Sequence, residues 1–192
     1  IMKYQVPQNI KIIIGLGNPD KEYANTYHNV GFLAIDYLVK NQNLKIKNQN
    51  DNVKFKNVKY FNYLKIDEII LIKSETFMNE SGKMILEVKK YFKAKLDGIL
   101  IIHDDSDIEI GKYKISFDRG SAGHNGVESI IKSLKTKDFW RLRIGIRPPI
   151  RINQHKISIN LRLKAAAFVL KKINKKNLEI LDNVFEEAMK KI

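Results

Sequence analysis

Two residues of this sequence, His28 and Asp104, have the side-chain types most directly suited to catalysis. A histidine can take a proton from water near neutral pH, and a carboxylate can hold the imidazole in one tautomer and favour its protonated form. Neither Ser81 nor Ser121 lies in the G-x-S-x-G pattern that exposes a nucleophilic serine. The pair therefore predicts attack by a water molecule that His28 activates, without an acyl-enzyme.

Asparagines surround this pair in the sequence. One follows the turn GLG, one follows His28 directly, one opens a helical pattern in KSETFMNESG, and one lies in the glycine-rich stretch RGSAGHNGVES; they are Asn18, Asn29, Asn79 and Asn125. Amide groups and free backbone N–H groups at a helix start can bind carbonyl or anionic groups. An ordinary capped helix at Asn79 and a flexible turn near Asn125 are the alternatives.

Two other kinds of site are disfavoured. The loop GLGNPD places Asp20 where a dinucleotide-binding fingerprint needs its third glycine, and a Walker lysine is absent. The acidic stretch from His103 to Glu109 resembles a cation site, but alternate residues of an extended segment point to opposite faces. We therefore expect no metal and no nucleotide cofactor.

Composition favours an anionic partner. Thirty-five Lys and Arg against 21 Asp and Glu give a net charge of +14, which favours nucleic acid ahead of an anionic membrane surface. Base composition of an AT-rich genome is the alternative explanation. The chain lacks cysteine, which excludes disulfides and thiolate zinc sites. Without a membrane-length apolar segment or an evident secretory signal, we expect a cytoplasmic protein.

The elements that must position these residues alternate between strand and helix. Strand patterns cover 11–16, 53–58, 60–66, 69–73, 98–102, 112–117 and 140–146. Helical patterns cover 30–39, 79–93, 125–134, 163–172 and 177–191, and 41–52 is predicted to be an exposed connection. The pattern predicts one α/β domain over 1–192, with three layers and a twisted mixed β-sheet flanked by helices. Ligands of such sheets bind beyond the carboxyl ends of the strands.

Six blocks in order give the sequence a family resemblance. They are GLGNP, T-x-HNVGF, TFMNESG, HDDSDIEIGK, AGHNG and RLRIGIRPP, and they span residues 12–149. Together they resemble the bacterial peptidyl-tRNA hydrolase family. The resemblance implies hydrolysis of the ester between a peptide and the terminal ribose of tRNA, without a cofactor. It also implies a monomer that binds the acceptor end and phosphate backbone of peptidyl-tRNA.

The resemblance also assigns roles to residues. It makes His28 the catalytic base, Asp104 the carboxylate that supports it, and Asn18 the residue that distinguishes N-blocked peptidyl-tRNA from free aminoacyl-tRNA. It makes Asn79 and Asn125 the amides that hold the peptide backbone and the attacking water. Substrate or tRNA contacts are expected from Tyr23, Phe77, Met78, Asn29, Gly123, His124, Lys114, Arg141 and Arg143.

Some expectations remain open at this level. Arg141 and Arg143 share a face of a strand, so one exposed basic face is geometrically possible there; packed stems with solvated charges are the alternative. Departures from the family pattern occur at Asp20, Tyr27, Ser74 and Ala122, and segment 150–166 has no assignable role. A non-catalytic RNA-binding relative and a small-molecule or nucleotide-binding hydrolase are the rival functions.

Overall fold

The computed structural model describes residues 6–45, 54–149 and 167–192. Its strands form one seven-stranded sheet in the order β2-β3-β4-β1-β5-β7-β6. The strands are β1 Ile12–Gly15, β2 Lys56–Val58, β3 Phe61–Ile66, β4 Ile69–Ser74, β5 Ile99–Glu109, β6 Tyr113–Ser116 and β7 Trp140–Arg147. The pairs β1–β4, β1–β5 and β5–β7 are parallel, and the other three pairs are antiparallel. The predicted mixed sheet is therefore confirmed.

Helices cover both faces of this sheet. They are α1 Val30–Lys45, α2 Ser81–Phe92, α3 Asn125–Leu134 and α4 Lys175–Met189. Ile13 of β1 belongs to the core that includes α1 and α4, whereas Ile12 and Ile14 belong to the core that includes α2 and α3. Because successive strand residues point to opposite faces, an all-apolar strand such as β1 is buried on both. The three-layer prediction is thus confirmed.

Two predicted boundaries differ most from those in the structure. The sequence predicts that strand β5 ends at residue 102, but the strand continues through Glu109. It stays paired with β7 up to Asp105, which lies opposite Gly145, and after a shift in register Glu109 pairs with Arg147. Helix α1 continues to Lys45, so the exposed connection does not begin at 41; no proline or glycine interrupts the helix there. The rest of that connection, the start of the 163–172 helix and segment 150–166 lie outside the described residues.

Close backbone contact joins β1 to the start of α1. A Cβ added at Gly31 would lie 2.4 Å from the carbonyl oxygen of Leu16, and one added at Gly15 would lie 2.3 Å from the carbonyl oxygen of Gly31. Glycine is therefore required where the two elements meet. This contact brings the turn before α1, with His28, to the carboxyl ends of the central strands. Within the described residues, no helix is long and apolar enough to cross a membrane.

Candidate active site

His28 and Asp104 meet across the carboxyl end of the sheet. His28 lies in a 3₁₀ turn, Tyr27–Asn29, directly before α1, and Asp104 lies in β5. The Nδ1 atom of His28 is 2.9 Å from Oδ1 of Asp104, and both side chains are buried. An ionised carboxylate can only accept, so Nδ1 carries a proton and, in the neutral ring, the lone pair is on Nε2.

Opposing effects set the protonation of this pair. Burial lowers the pKa of His28, but the charge of Asp104 and its hydrogen bond outweigh burial and raise this pKa above its ordinary value. Burial raises the pKa of Asp104, but the His28 and His124 rings that contact it hold this pKa well below its usual range. Asp104 is therefore a carboxylate at neutral pH, and it favours the protonated form of His28.

A second imidazole contacts the same carboxylate oxygen. Nε2 of His124 is 3.0 Å from Oδ1 of Asp104, and its ring centroid is 4.9 Å from that of His28. His124 is also the residue that caps α3, because its Nδ1 accepts the backbone N–H groups of Gly126 at 3.1 Å and Val127 at 3.3 Å. Both ring nitrogens of His124 thus bind protein groups. The sequence did not reveal His124 as the capping residue of α3, because the residue at a helix N-cap is usually Ser, Thr, Asn or Asp.

Asn18 is fixed between two neighbouring loops. Its backbone N–H donates to Oδ1 of Asn29 at 2.9 Å, and Nδ2 of Asn29 donates to the Asn18 carbonyl at 2.9 Å. The side-chain Oδ1 of Asn18 accepts the backbone N–H of Met78 at 2.8 Å. In the described part of the chain no acceptor is paired with Nδ2 of Asn18. Asn29 therefore positions Asn18, and both N–H groups of the Asn18 Nδ2 are unpaired among the described residues.

The loop after β4 presents a mixed surface beside Asn18. It contains the 3₁₀ turn Met78–Glu80, in which Met78 is buried and Asn79 is exposed. Phe77, which directly precedes this turn, is 45% exposed. A Cβ added at Gly126 would lie 2.4 Å from the Met78 sulfur, so glycine at that position lets this loop pack against α3. Asn79 and Phe77 are therefore available to a bound molecule, whereas Met78 is mainly a packing residue.

A cleft of about 180 Å³ opens onto His28 and Asp104. Its walls are His28, Asp104, Asp105, Ser106, residues 121–125 and Val169. Asn125 is exposed at the start of α3, and Gly123 precedes it with φ +85°. The structure therefore brings together five of the predicted residues: His28, Asp104, Gly123, His124 and Asn125. Tyr23, half-buried in the 3₁₀ turn Lys21–Tyr23, does not line this cleft.

The predicted basic face is only partly exposed. Arg141 is 1% exposed and donates from Nη1 to the carbonyl of Gly120 at 3.1 Å, because the loop before α3 covers it. Arg141 therefore does not belong to an exposed basic face, and its stem is packed as in the alternative. Arg143 is partly exposed, and its Nε donates to Asp105 at 2.7 Å. Lys114, directly opposite Arg143 in the β6–β7 pair, is exposed.

Two of the departures from the family pattern have structural roles. Tyr27 is buried, its ring stacks on Phe168 with centroids 4.5 Å apart, and its hydroxyl accepts from Asn177 at 2.6 Å. Ser74 is buried and shares a 2.9 Å hydrogen bond with Thr76. Tyr27 thus attaches the turn that carries His28 to the C-terminal part of the chain.

Ala122 and Asp20 are the other departures. Ala122 has φ +52°, a left-handed conformation that glycine adopts without strain, and it lines the cleft. Asp20 is exposed, and its carbonyl accepts from the backbone of Tyr23 at 3.0 Å.

The cluster of His28, Asp104 and His124 is compact enough to be tested as a metal site, with donor atoms within 4.8 Å of one another. A metal would need lone pairs on Nδ1 of His28 and Nε2 of His124, where the hydrogen bonds to Asp104 place protons. The proton of His124 would then move to Nδ1, facing two backbone N–H groups. A metal ion bound through these two nitrogens would therefore have to replace the hydrogen bonds to Asp104.

Known proteins resemble this chain in sequence and in fold. The family model of peptidyl-tRNA hydrolase matches residues 12–192. A peptidyl-tRNA hydrolase of Mycoplasma capricolum is 39% identical over 92% of this chain and 87% of its own length, and one of Lactobacillus gasseri is 39% identical over 92% and 88%. The crystal structure of the Acinetobacter baumannii peptidyl-tRNA hydrolase, 27% identical, superimposes with a TM-score of 0.75 over 98% of this chain and 88% of that one. The chain belongs to the peptidyl-tRNA hydrolase family.

Proposed function

We propose that this protein hydrolyses the ester bond between the peptide and the terminal ribose in N-blocked peptidyl-tRNA, with His28 as the base that activates water. The observation that carries the proposal is the 2.9 Å hydrogen bond from Nδ1 of His28 to Asp104 at the floor of the cleft. This bond leaves Nε2 as the only basic nitrogen of the neutral ring. The family supplies the substrate class.

The proposed reaction needs no group beyond this chain and water. Nε2 of His28 takes a proton as the water oxygen attacks the ester carbonyl carbon, and Asp104 stabilises the resulting imidazolium. The tetrahedral oxyanion accepts hydrogen bonds from amide N–H groups. Asn125 lines the cleft, and Asn79 is exposed in the 3₁₀ turn after β4, outside the cleft lining. When the ester C–O bond breaks, the ribose oxygen takes the proton from His28 and the peptide leaves as a carboxylic acid.

Selection of N-blocked substrates is proposed to rest on the amides of Asn18, Asn79 and Asn125. A blocked substrate presents a neutral amide, which these groups can pair with. A free aminoacyl ester presents a charged ammonium, and burying that charge without a partner is costly. Asn18 supports this role because its position is fixed through Met78, while its Nδ2 has no acceptor in the part of the chain that the structure describes.

Binding of the tRNA backbone is proposed for Lys114 and Arg143, which adjoin on β6 and β7. Phosphate contacts hold a nucleic acid in position without reading its sequence, and the net charge of +14 supports them. Exposed Phe77 and half-buried Tyr23 are proposed to contact the acceptor end. The buried Arg141 is proposed to stabilise the loop before α3.

The proposal is tested with a matched pair of substrates, an N-acetylated aminoacyl-tRNA and the same aminoacyl-tRNA with a free amine. The wild-type protein should cleave the first and leave the second almost intact. Asn18→Ala should lose rate, discrimination or both. Equal cleavage of both substrates by the wild type would contradict the proposed selectivity, and cleavage of neither with normal tRNA affinity would indicate a non-catalytic RNA-binding protein.

A further inference from the structure

His124 is held by hydrogen bonds on both sides of its ring. On one side, Nδ1 accepts two backbone N–H groups at the start of α3, from Gly126 and Val127. On the other side, Nε2 lies 3.0 Å from the Asp104 carboxylate. The side chain is only 7% exposed, so water does not compete freely for either nitrogen.

These contacts allow one arrangement of protons. A backbone N–H can only donate, so Nδ1 of His124 must be the unprotonated nitrogen. An ionised carboxylate can only accept, so Nε2 must carry the proton. The opposite tautomer would break the two bonds that cap α3 and place two acceptors against each other at Asp104. The fold therefore fixes which nitrogen of His124 donates.

We propose that His124 is a positioning residue: its fixed Nε2–H orients the Asp104 carboxylate and draws part of its charge away from His28. Both rings bind the same oxygen, Oδ1 of Asp104, so the negative charge that favours protonated His28 is shared. The consequence is that His28 becomes a free base at a lower pH than an unshared carboxylate would allow. This inference rests on the proposed role of His28 and adds the group that sets its working pH.

Other charged or titratable groups near this pair do not take over the role. His103 of β5 packs edge-on against His124 with centroids 4.7 Å apart, and its Nδ1 donates to the Asp104 backbone carbonyl. Burial, His124 and Arg141 lower the pKa of His103, so this ring is neutral. Asp105 is paired with Arg143.

Groups from the remaining neighbouring elements are also engaged elsewhere. Lys172, in the C-terminal segment that bridges to Thr26, donates to the carbonyls of Glu22 and Ala24. Glu128 in the first turn of α3 pairs with Lys132. In the part of the chain that the structure describes, only His28 and His124 therefore bind the Asp104 carboxylate.

The substitution His124→Asn separates positioning from helix capping. Asparagine is a good cap, so its side chain keeps a bond to the start of α3, but it is too short to reach Asp104 as well. His124→Ala removes both interactions. A purely structural role predicts that only the alanine variant changes anything, through a lower melting temperature. The proposed role predicts that both variants raise the pKa of His28, by at least about half a unit.

The test combines ¹⁵N NMR of the histidine rings with kinetics. In the wild type at pH 7.5, His124 should show a protonated Nε2 and an unprotonated Nδ1; a protonated Nδ1 would overturn the inference even if no variant folds. In His124→Asn the NMR pKa of His28 should rise, and the acid limb of kcat/KM should move to higher pH with it. An unchanged His28 pKa overturns the inference. A raised pKa with an unmoved acid limb supports the role of His124 and refutes His28 as the base.

Discussion

Replacing Asp104 by asparagine removes a charge while leaving the local geometry almost intact. The same oxygen, Oδ1, accepts from His28 at 2.9 Å and from His124 at 3.0 Å. An amide carbonyl oxygen has two lone pairs and can accept both hydrogen bonds. The variant therefore tests the charge of Asp104 rather than its shape.

The size of the effect follows from the distance. Two unit charges 2.9 Å apart interact by ~1.4 kcal/mol in a water-like dielectric and by ~5.7 kcal/mol at an effective dielectric constant of about 20. At about 1.36 kcal/mol per pKa unit, these limits correspond to a fall of about one to four units in the pKa of His28. Because the proposed mechanism forms protonated His28 as water attacks the ester, kcat/KM should fall by about tenfold to 10⁴-fold. The retained hydrogen bond favours the lower part of this range.

The assay is kcat/KM for an N-acetylated aminoacyl-tRNA between pH 5 and pH 9. In the wild type the pKa of His28 is raised, so activity should decline as the pH falls through a value above about 6.5. In Asp104→Asn the charge that raises the pKa of His28 is gone, while the burial that lowers this pKa remains. The acid limb of the kcat/KM profile should therefore move to lower pH, and the maximum value of kcat/KM should fall. If Asp104→Asn kept the wild-type maximum of kcat/KM and the wild-type acid limb, this account of His28 and Asp104 would be refuted.

Three further variants test other parts of the structure. Asn18→Ala leaves the buried N–H of Met78 without an acceptor, so unfolding free energy should fall by about 1–3 kcal/mol in denaturant titrations; unchanged stability would contradict this anchoring role. Ala122→Gly removes the strain of a left-handed backbone at φ +52° and should raise the free energy of unfolding by about 0.5–1 kcal/mol. A lower melting temperature would contradict this prediction. Lys114→Ala should reduce the salt slope of tRNA binding by about one, whereas exposed Lys65→Ala on β3 should not; equal slopes would place the phosphate contact elsewhere.

Much of the fold could be predicted because the apolar patterns are local. The run around Ile12–Gly15 and the helix Asn125–Leu134 carry their periodicity in their own residues. The ends of β5 and α1 could not be predicted in the same way. Polar residues from 103 onward remain in strand because β7 pairs with them, and that partner is distant in sequence.

The pairing of His28 with Asp104 could be predicted from residue type, whereas the contacts of the neighbouring residues could not. Period-2 spacing correctly places Arg141 and Arg143 on one face, but it does not show that the Gly120 loop covers Arg141. The spacing of His124 likewise says nothing about which of its nitrogens caps α3. Those facts depend on three-dimensional contacts between loops, which local sequence patterns do not contain.

The most direct test of His28 as the base is single-turnover hydrolysis of an N-acetylated aminoacyl-tRNA by His28→Ala at saturating enzyme. The alanine variant should bind the tRNA with wild-type affinity and keep its circular dichroism spectrum, because Asp104 still accepts the His124 hydrogen bond. Its rate should fall by at least about 10²- to 10⁴-fold, the range for loss of a general base. Hydrolysis within a few-fold of wild type, with the protein folded and the tRNA bound, would contradict the account.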